Sequence, residues 1–577
     1  MLARLFDLVY DLKMASIISK KVNGHLYYYL RQMKRVDGKP KMEWERYLGS
    51  AADIDAAMGG AVAVPAKTRH LGFGDLAAVW SIMDRVGVIG IIDDVVGVRR
   101  SDAAASVGTY IALACAGRIV APCSKLAFKD WWKTTAGDRI TGVGPAATDH
   151  RRFWDAMDSI TDKDLVEIER RVSAAVVTEF GLDLSGLVLD MTNFATYIDS
   201  ANERAPIAQR GHAKQKRSDL RLVGLGLVVT TDGGIPIVSH PYPGNRPDVT
   251  QFGDVVTELV ARWGHQQGDT HNLTLVFDAG QNSKDNLALI EDTALAFVGS
   301  IPPSDHRDLL ALPARRFVTV DADRFPGVTA VDTRAHGLGK DRRVIITHSE
   351  TLHAKQAFGF EHTTLAKVAV RLDELAERLA RGNTRRGRVA VEADIAQITK
   401  NPWVKRVLTT TLTGDTPTTM RLTWTINPTA RKTLETEVFG KRILFTSHDN
   451  WPVAEIIAAY RSQHHVESDF RQMKDRHVVS FSPMHHWTDQ KIRVHVFYCV
   501  LALTISRLMH RETKQAGHDL SVAALLDTLA GIQETVLIYP STGGRPKARH
   551  ILTEMTPTQT QLYDLFHLAD HAPKTLS

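Results

Sequence analysis

LSGLVLD at residues 184–190 and LTLVFD at residues 273–278 decide the fold. Each is a short, nearly unbroken apolar run closed by an aspartate, the pattern of a strand buried on both faces of a sheet. Between them LRLVGLGLVVTTDGG (220–234) and IPIVSH (235–240) repeat that pattern, and helical spacings at Val249–Trp263 and Asn286–Phe297 separate some of the runs. Strands alternating with helices argue for the α/β class. Asp190 and Asp278 then hold equivalent places near the ends of two buried strands, where open α/β sheets bind ligands. A single aspartate after a strand is more simply the first residue of a turn, so the pair needs a third observation.

That observation lies in YRSQHHVESDFRQMK, residues 460–474. Ile456, Tyr460, Gln463, Glu467, Phe470 and Lys474 recur at intervals that trace one face of a helix. The apolar members mark it as the inward face, which places Glu467 and Lys474 where charge is costly unless paired or metal-bound. A surface ion pair of Glu467 with Arg471 is the lesser alternative. Three carboxylates brought together repel one another, and bound divalent cations relieve that repulsion. Such oxygen ligands suit Mg²⁺ or Mn²⁺ rather than zinc. Two ions about 3.5–4 Å apart would serve in-line displacement at phosphorus.

Working outward, 577 residues imply several folding units, and 44% hydrophobic with 24% charged residues is an ordinary globular composition. The net charge of +6 is mild, but residues 1–50 carry ten Lys/Arg against five Asp/Glu, so the excess sits at the N-terminus and points to a polyanion. Cys115, Cys123 and Cys499 form no CxxC pair, which supports neither a disulfide framework nor a structural zinc and fits a reducing cytoplasm. No apolar run approaches the roughly 18 residues of a membrane span. The opening residues make a poor signal peptide, and translation starts at Met1 or Met14.

From Ser16 to Leu48 the chain reads as basic strands joined by turns at Asn23-Gly24 and Asp37-Gly38. Two readings of Tyr27, Tyr28 and Tyr29 stay open: a stacking surface for nucleic acid, or residues favoured in strands. Residues 72–180 have helical spacings, with a helix ending at Gly181. The Thr-rich strands TTTLTGD and TMRLTWTIN fall within residues 301–442. His464, His465, His485 and His486 are poor joint metal ligands as adjacent pairs. Arg381, Arg385, Arg386 and Arg388 read first as a solvated loop, and Trp403 and Trp424 as packed residues of the insertion.

In order and spacing these motifs resemble the DDE transposases of bacterial insertion sequences, within the group that carries a Tyr-Arg-Glu-Lys signature helix. Tyr460, Glu467 and Lys474 keep the signature's intervals, and Gln463 stands where that group has arginine. The resemblance runs from Ser16 to about Arg507. It implies an RNase H-like catalytic core interrupted by a β-rich insertion, in agreement with the 188 residues between Asp278 and Glu467. It also implies two Mg²⁺ (or Mn²⁺) ions on Asp190, Asp278 and Glu467. Tyr460, Arg461, Gln463, Arg471 and Lys474, with Lys214, Lys216 and Arg217, would lie along DNA. The expected division is 1–71 as a basic β-hairpin unit, 72–180 as a helical, DNA-binding domain and 181–300 as the first part of the core. The insertion then covers 301–447, the second part of the core 448–540, and a C-terminal tail 541–577.

The implied activity is binding of terminal inverted repeats, Mg-dependent cleavage and strand transfer into target DNA, by a homodimer in the bacterial cytoplasm and nucleoid, with no membrane partner. An RNase H-fold nuclease that cuts without joining, and a catalytically silent, domesticated DNA-binding protein, are the rival readings.

Overall fold

A computed structural model describes residues 15–36, 39–58, 64–97, 104–212, 219–263, 273–293, 295–303, 306–337, 340–382, 385–540 and 547–574. The expectations for Lys214, Lys216, Arg217, Met14 and the Asp37-Gly38 turn lie outside these residues.

Strands β1 (Ala15–Val22), β2 (His25–Val36) and β3 (Lys39–Gly49) form an antiparallel sheet. Val22 pairs with His25 across a two-residue turn, and Asn23 (φ 49°) with Gly24 (φ 85°) supplies the left-handed pair such a turn requires. Tyr27 and Tyr29 pack against Tyr47 at 6.0 and 5.2 Å, so two of the three tyrosines are engaged within the sheet. β4 (Lys67–Gly72) leads into a layer of helices, among them Gly74–Val86, Val107–Val120 and Asp162–Phe180. The last begins with a Thr161/Asp164 capping box and ends, at the Gly181 its sequence marks, in the left-handed conformation.

The centre is a nine-stranded sheet. It contains β5 (Gly186–Thr196), β6 (Arg221–Thr230), β7 (Pro236–Pro243), β8 (Thr274–Phe277) and β9 (Ala296–Ile301). It also contains β10 (Val318–Thr319), β11 (Val328–Gly337), β12 (Lys340–Ser349) and, beyond the hairpin of β13 (Leu408–Thr413) and β14 (Arg421–Ile426), β15 (Lys441–Thr446). In space the order is β10-β11-β12-β15-β9-β8-β5-β6-β7, and only the β5/β8 and β8/β9 pairs are parallel.

The segment expected to be a β-rich insertion is therefore mixed. Its strands β11, β12 and β15 extend the central sheet, and the helices Glu350–Gly359, Ala366–Ala380, Arg388–Ile398 and Pro428–Val438 pack with them. Alternating sequence identifies strands but not the sheet they join, which the partner edge decides.

Helix Asp489–Gln515 is long and apolar enough to cross a membrane, yet it lies buried among the helices of residues 74–180 and against β7. Residues 72–180 thus share one hydrophobic core with the chain beyond residue 450. The expected tail also contributes structure: its β17 (Lys547–Leu552) pairs with β16 (Gln533–Tyr539), whose other side pairs with β4.

Candidate active site

The parallel ladder of β5 and β8 runs through Leu187/Leu275, Val188/Val276 and Leu189/Phe277, so Asp190 and Asp278 follow side by side on neighbouring strands. β8 stops at Phe277, whereas β5 continues to Thr196 rather than ending at Asp190. The two strands part at the aspartates and open a crevice at the carboxyl ends of the parallel pair. Alternation fixes the face: Val188 and Val276 belong to the core beneath helix His464–Lys474, and Asp190 and Asp278 point to the same side two residues on. Asp190 is half-buried and Asp278 exposed.

Asp278 is held by its neighbours. Ser300 of β9 donates to its Oδ1 at 2.8 Å, and the Tyr460 hydroxyl donates to the same oxygen at 3.1 Å. Asn286 donates to the carbonyls of Val249 and Gln281, and Asn282 to that of Ser300, which pins the turn after Asp278. Burial, then the charge of Asp278, pushes the Tyr460 phenol up to about 12, so it stays a donor at any ordinary pH.

The single helix expected through Ile456 to Lys474 is two, Val453–Arg461 and His464–Lys474, broken at Ser462-Gln463. Ser462 bonds back to the Ala459 carbonyl and His464 to that of Arg461, which tightens the junction and shifts the second helix out of register with the first. Val466, Asp469, Phe470 and Met473 become its inward residues. Glu467, expected on the buried face, is exposed.

The two ends of this unit nevertheless bracket the aspartates: Tyr460 touches Asp278, and Lys474 Nζ donates to Thr192 Oγ1 at 2.6 Å, two residues beyond Asp190 on the same face. Glu467 lies between them in sequence. Among the described residues no three His, Cys, Asp or Glu side chains are close enough together to hold a metal ion. The aspartates are thus brought together, and Glu467 is not part of a three-residue cluster in this arrangement. The donor set is oxygen only, and both hydrogen bonds from Ser300 and Tyr460 fall on Oδ1 of Asp278, a combination that fits a hard divalent cation.

Arg461 and Arg471 are exposed, and Gln463 Nε2 is buried without a hydrogen-bond partner. Sequence reasoning missed Ser300 and Thr192, although Thr192 follows from the two-residue period of β5. It also missed Asp469, the carboxylate that this helix does bury: paired with Arg507, it is raised to about 7 by burial. Trp403 packs on Phe439 at 5.1 Å and Trp424 donates to Asp373, while Arg381, Arg386 and Arg388 are ion-paired.

The family described as the transposase DDE domain matches residues 182–505, more than half of the chain, including Asp190, Asp278, Ser300, Tyr460, Glu467 and Lys474. The chain belongs to that family. As a DDE transposase it is a nucleic-acid-cleaving enzyme with DNA as partner, and its family generally uses divalent metal ions. The chain is also similar to a solved piggyBac transposase, in a cryo-EM structure of its synaptic complex with hairpin DNA. Identity is 9%, coverage 81% of this chain and 82% of that chain, and the TM-score 0.37. No curated protein matches this transposase.

Proposed function

We propose that the protein is an insertion-sequence transposase of bacterial type. It binds the terminal inverted repeats of its own element, cuts at the ends and joins the freed 3′-hydroxyls to target DNA, working as a homodimer so that two ends are held together. The observation that carries this reading is the side-by-side placement of Asp190 and Asp278, flanked by the Tyr460 and Lys474 contacts within the matched DDE domain.

An RNase H-like core is supported by the strand order β7-β6-β5-β8-β9, three antiparallel strands followed by two parallel ones. Asp190, Asp278 and Glu467 would hold the divalent cations, Mg²⁺ or Mn²⁺. Bound there, such ions supply an activated oxygen nucleophile and stabilise the leaving oxygen. The protein's own groups position the reaction. Tyr460 and Ser300 fix the Asp278 carboxylate, and Lys474, a point charge beside Asp190, draws a backbone phosphate toward the crevice. The variant signature, with Gln463 in place of arginine, leaves that position without a charge.

The test is a strand-transfer assay with DNA taken from both flanks of the coding region. Joined product supports the proposal. Cutting without joining favours a nuclease, and binding without cutting a silent DNA-binding protein.

A further inference from the structure

The polar row that starts at the aspartates continues across the sheet. Ser300 of β9 contacts Asp278, and β15 lies antiparallel to β9 with Ile443 opposite Ile301. Val298 and Leu444 belong to the core on the aspartate side, so two residues away Ser300 and Arg442 face that side too. Arg442 pairs with Thr347 of β12, and its guanidinium lies 5.6 Å from the centre of the Tyr460 ring, whose hydroxyl is on Asp278.

Arg442 and Arg461 both line a cavity of about 190 Å³ together with Thr347, Ser349, Gly440 and Tyr460. Both arginines are exposed. Other arginines of this part of the chain have carboxylate partners: Arg324 with Glu455, Arg342 with Glu291, Arg343 with Asp332. Among the described residues no carboxylate pairs with Arg442 or Arg461, which rest on the rings of Tyr460 and Phe325 instead. Burial, then the charge of Arg442, holds the Arg461 guanidinium below its ordinary value. Two cations facing one cavity repel, and an anion between them removes the repulsion.

We propose that Arg442 and Arg461, with the Thr347 and Ser349 hydroxyls, form a phosphate-binding subsite for the DNA backbone next to the crevice of Asp190 and Asp278. This rests on the DNA-cutting reading above and adds to it a residue from the segment that separates the two parts of the DDE site. From β8 to β15 is two strand spacings, roughly 10 Å. At ~3.4 Å of rise per nucleotide the subsite takes a phosphate within about three nucleotides of the one being cut. Guanidinium forks suit that ligand, and Tyr460 is the wall shared by the two compartments.

The experiment measures binding of a flank-derived duplex by Arg442→Gln, Arg461→Gln, the double variant and Arg442→Lys at several salt concentrations. The subsite takes one phosphate, so its complete loss in the double variant lowers the slope of log K against log salt by about 0.9, each single variant loses no more than that, and Arg442→Lys keeps the wild-type slope. In the unaltered protein, one neutral methylphosphonate near the cut should reproduce the double-variant loss, and the double variant should suffer no further loss from it. An unchanged slope in the double variant overturns the subsite, and so does a methylphosphonate penalty that adds to the double variant at every position. Wild-type protein that binds with the expected slopes but never cuts would sink the transposase chemistry and leave the subsite standing.

Discussion

The hydroxyl of Tyr460 and the carboxylate of Asp278 meet at 3.1 Å, although 182 residues separate them in the chain. The contact joins the helix before the Ser462-Gln463 break to the strand that ends the parallel ladder. It transmits the position of that helix to an acidic group of the site.

Tyr460→Phe should therefore slow cutting without weakening DNA binding. A hydrogen bond to a charged group is worth about 1.5–3 kcal/mol, or about 10- to 160-fold in rate. Because the phenol stays protonated up to about 12, the pH profile of cutting between 6 and 9 should keep its shape in the variant. Asp278→Asn should remove cutting altogether. Single-turnover cleavage and gel-shift titration check both.

Glu467 is exposed, so Glu467→Gln should leave the melting temperature within the scatter of surface substitutions, about ±0.5 kcal/mol in stability. Cutting should disappear all the same, as it should when EDTA removes divalent cations, and added Mg²⁺ should restore it only to the unaltered protein. Persistent cutting by Glu467→Gln would take this residue out of the site.

Lys125 Nζ donates to the Tyr498 hydroxyl at 2.9 Å, and Tyr498 in turn meets His495 in the core of the helical layer. Burial pushes the Lys125 amine down to about 7, with Arg118 adding to the effect. The folded state thus binds this proton less tightly than the unfolded one. The group's favourable contribution is complete above pH ~10.4 and is lost as pH falls through about 7. Lys125→Met should accordingly raise the melting temperature most at pH 6 and least at pH 10.

Glu169 ties helix Asp162–Phe180 to the sheet, accepting from Arg262 at 2.7 Å and Ser239 at 2.9 Å. Arg262 is only 6% exposed and keeps Glu258 as a second partner. Glu169→Ala should cost about 3 kcal/mol, the lower end for breaking a buried pair, read as a lower urea midpoint. Glu169→Gln, which keeps an acceptor, should cost less.

Local features were readable in the sequence. The Asn23-Gly24 turn, the Gly181 cap and the hydrophobic runs ending at Asp190 and Asp278 depend on neighbours a few residues away, and the structure has each of them. The break at Ser462-Gln463 was not readable, because no proline or glycine marks it and a hydroxyl bonding back to its own helix leaves the apolar spacing intact. That one-turn discontinuity put Asp469 inside and Glu467 outside. The docking of Asp489–Gln515 among helices from residues 74–180, and the recruitment of β11, β12 and β15 into the central sheet, were equally hidden, since both depend on surfaces far apart in the chain.

The pairing of β4 with β16 joins segments about 460 residues apart. At roughly 5–20 residues per second a ribosome needs about half a minute to a minute and a half to deliver the second after the first. Throughout that interval β4 offers an open edge to any passing chain, the usual origin of tangled by-products. The yield of well-formed molecules should then follow translation speed and chaperone supply as closely as it follows the strength of the finished structure.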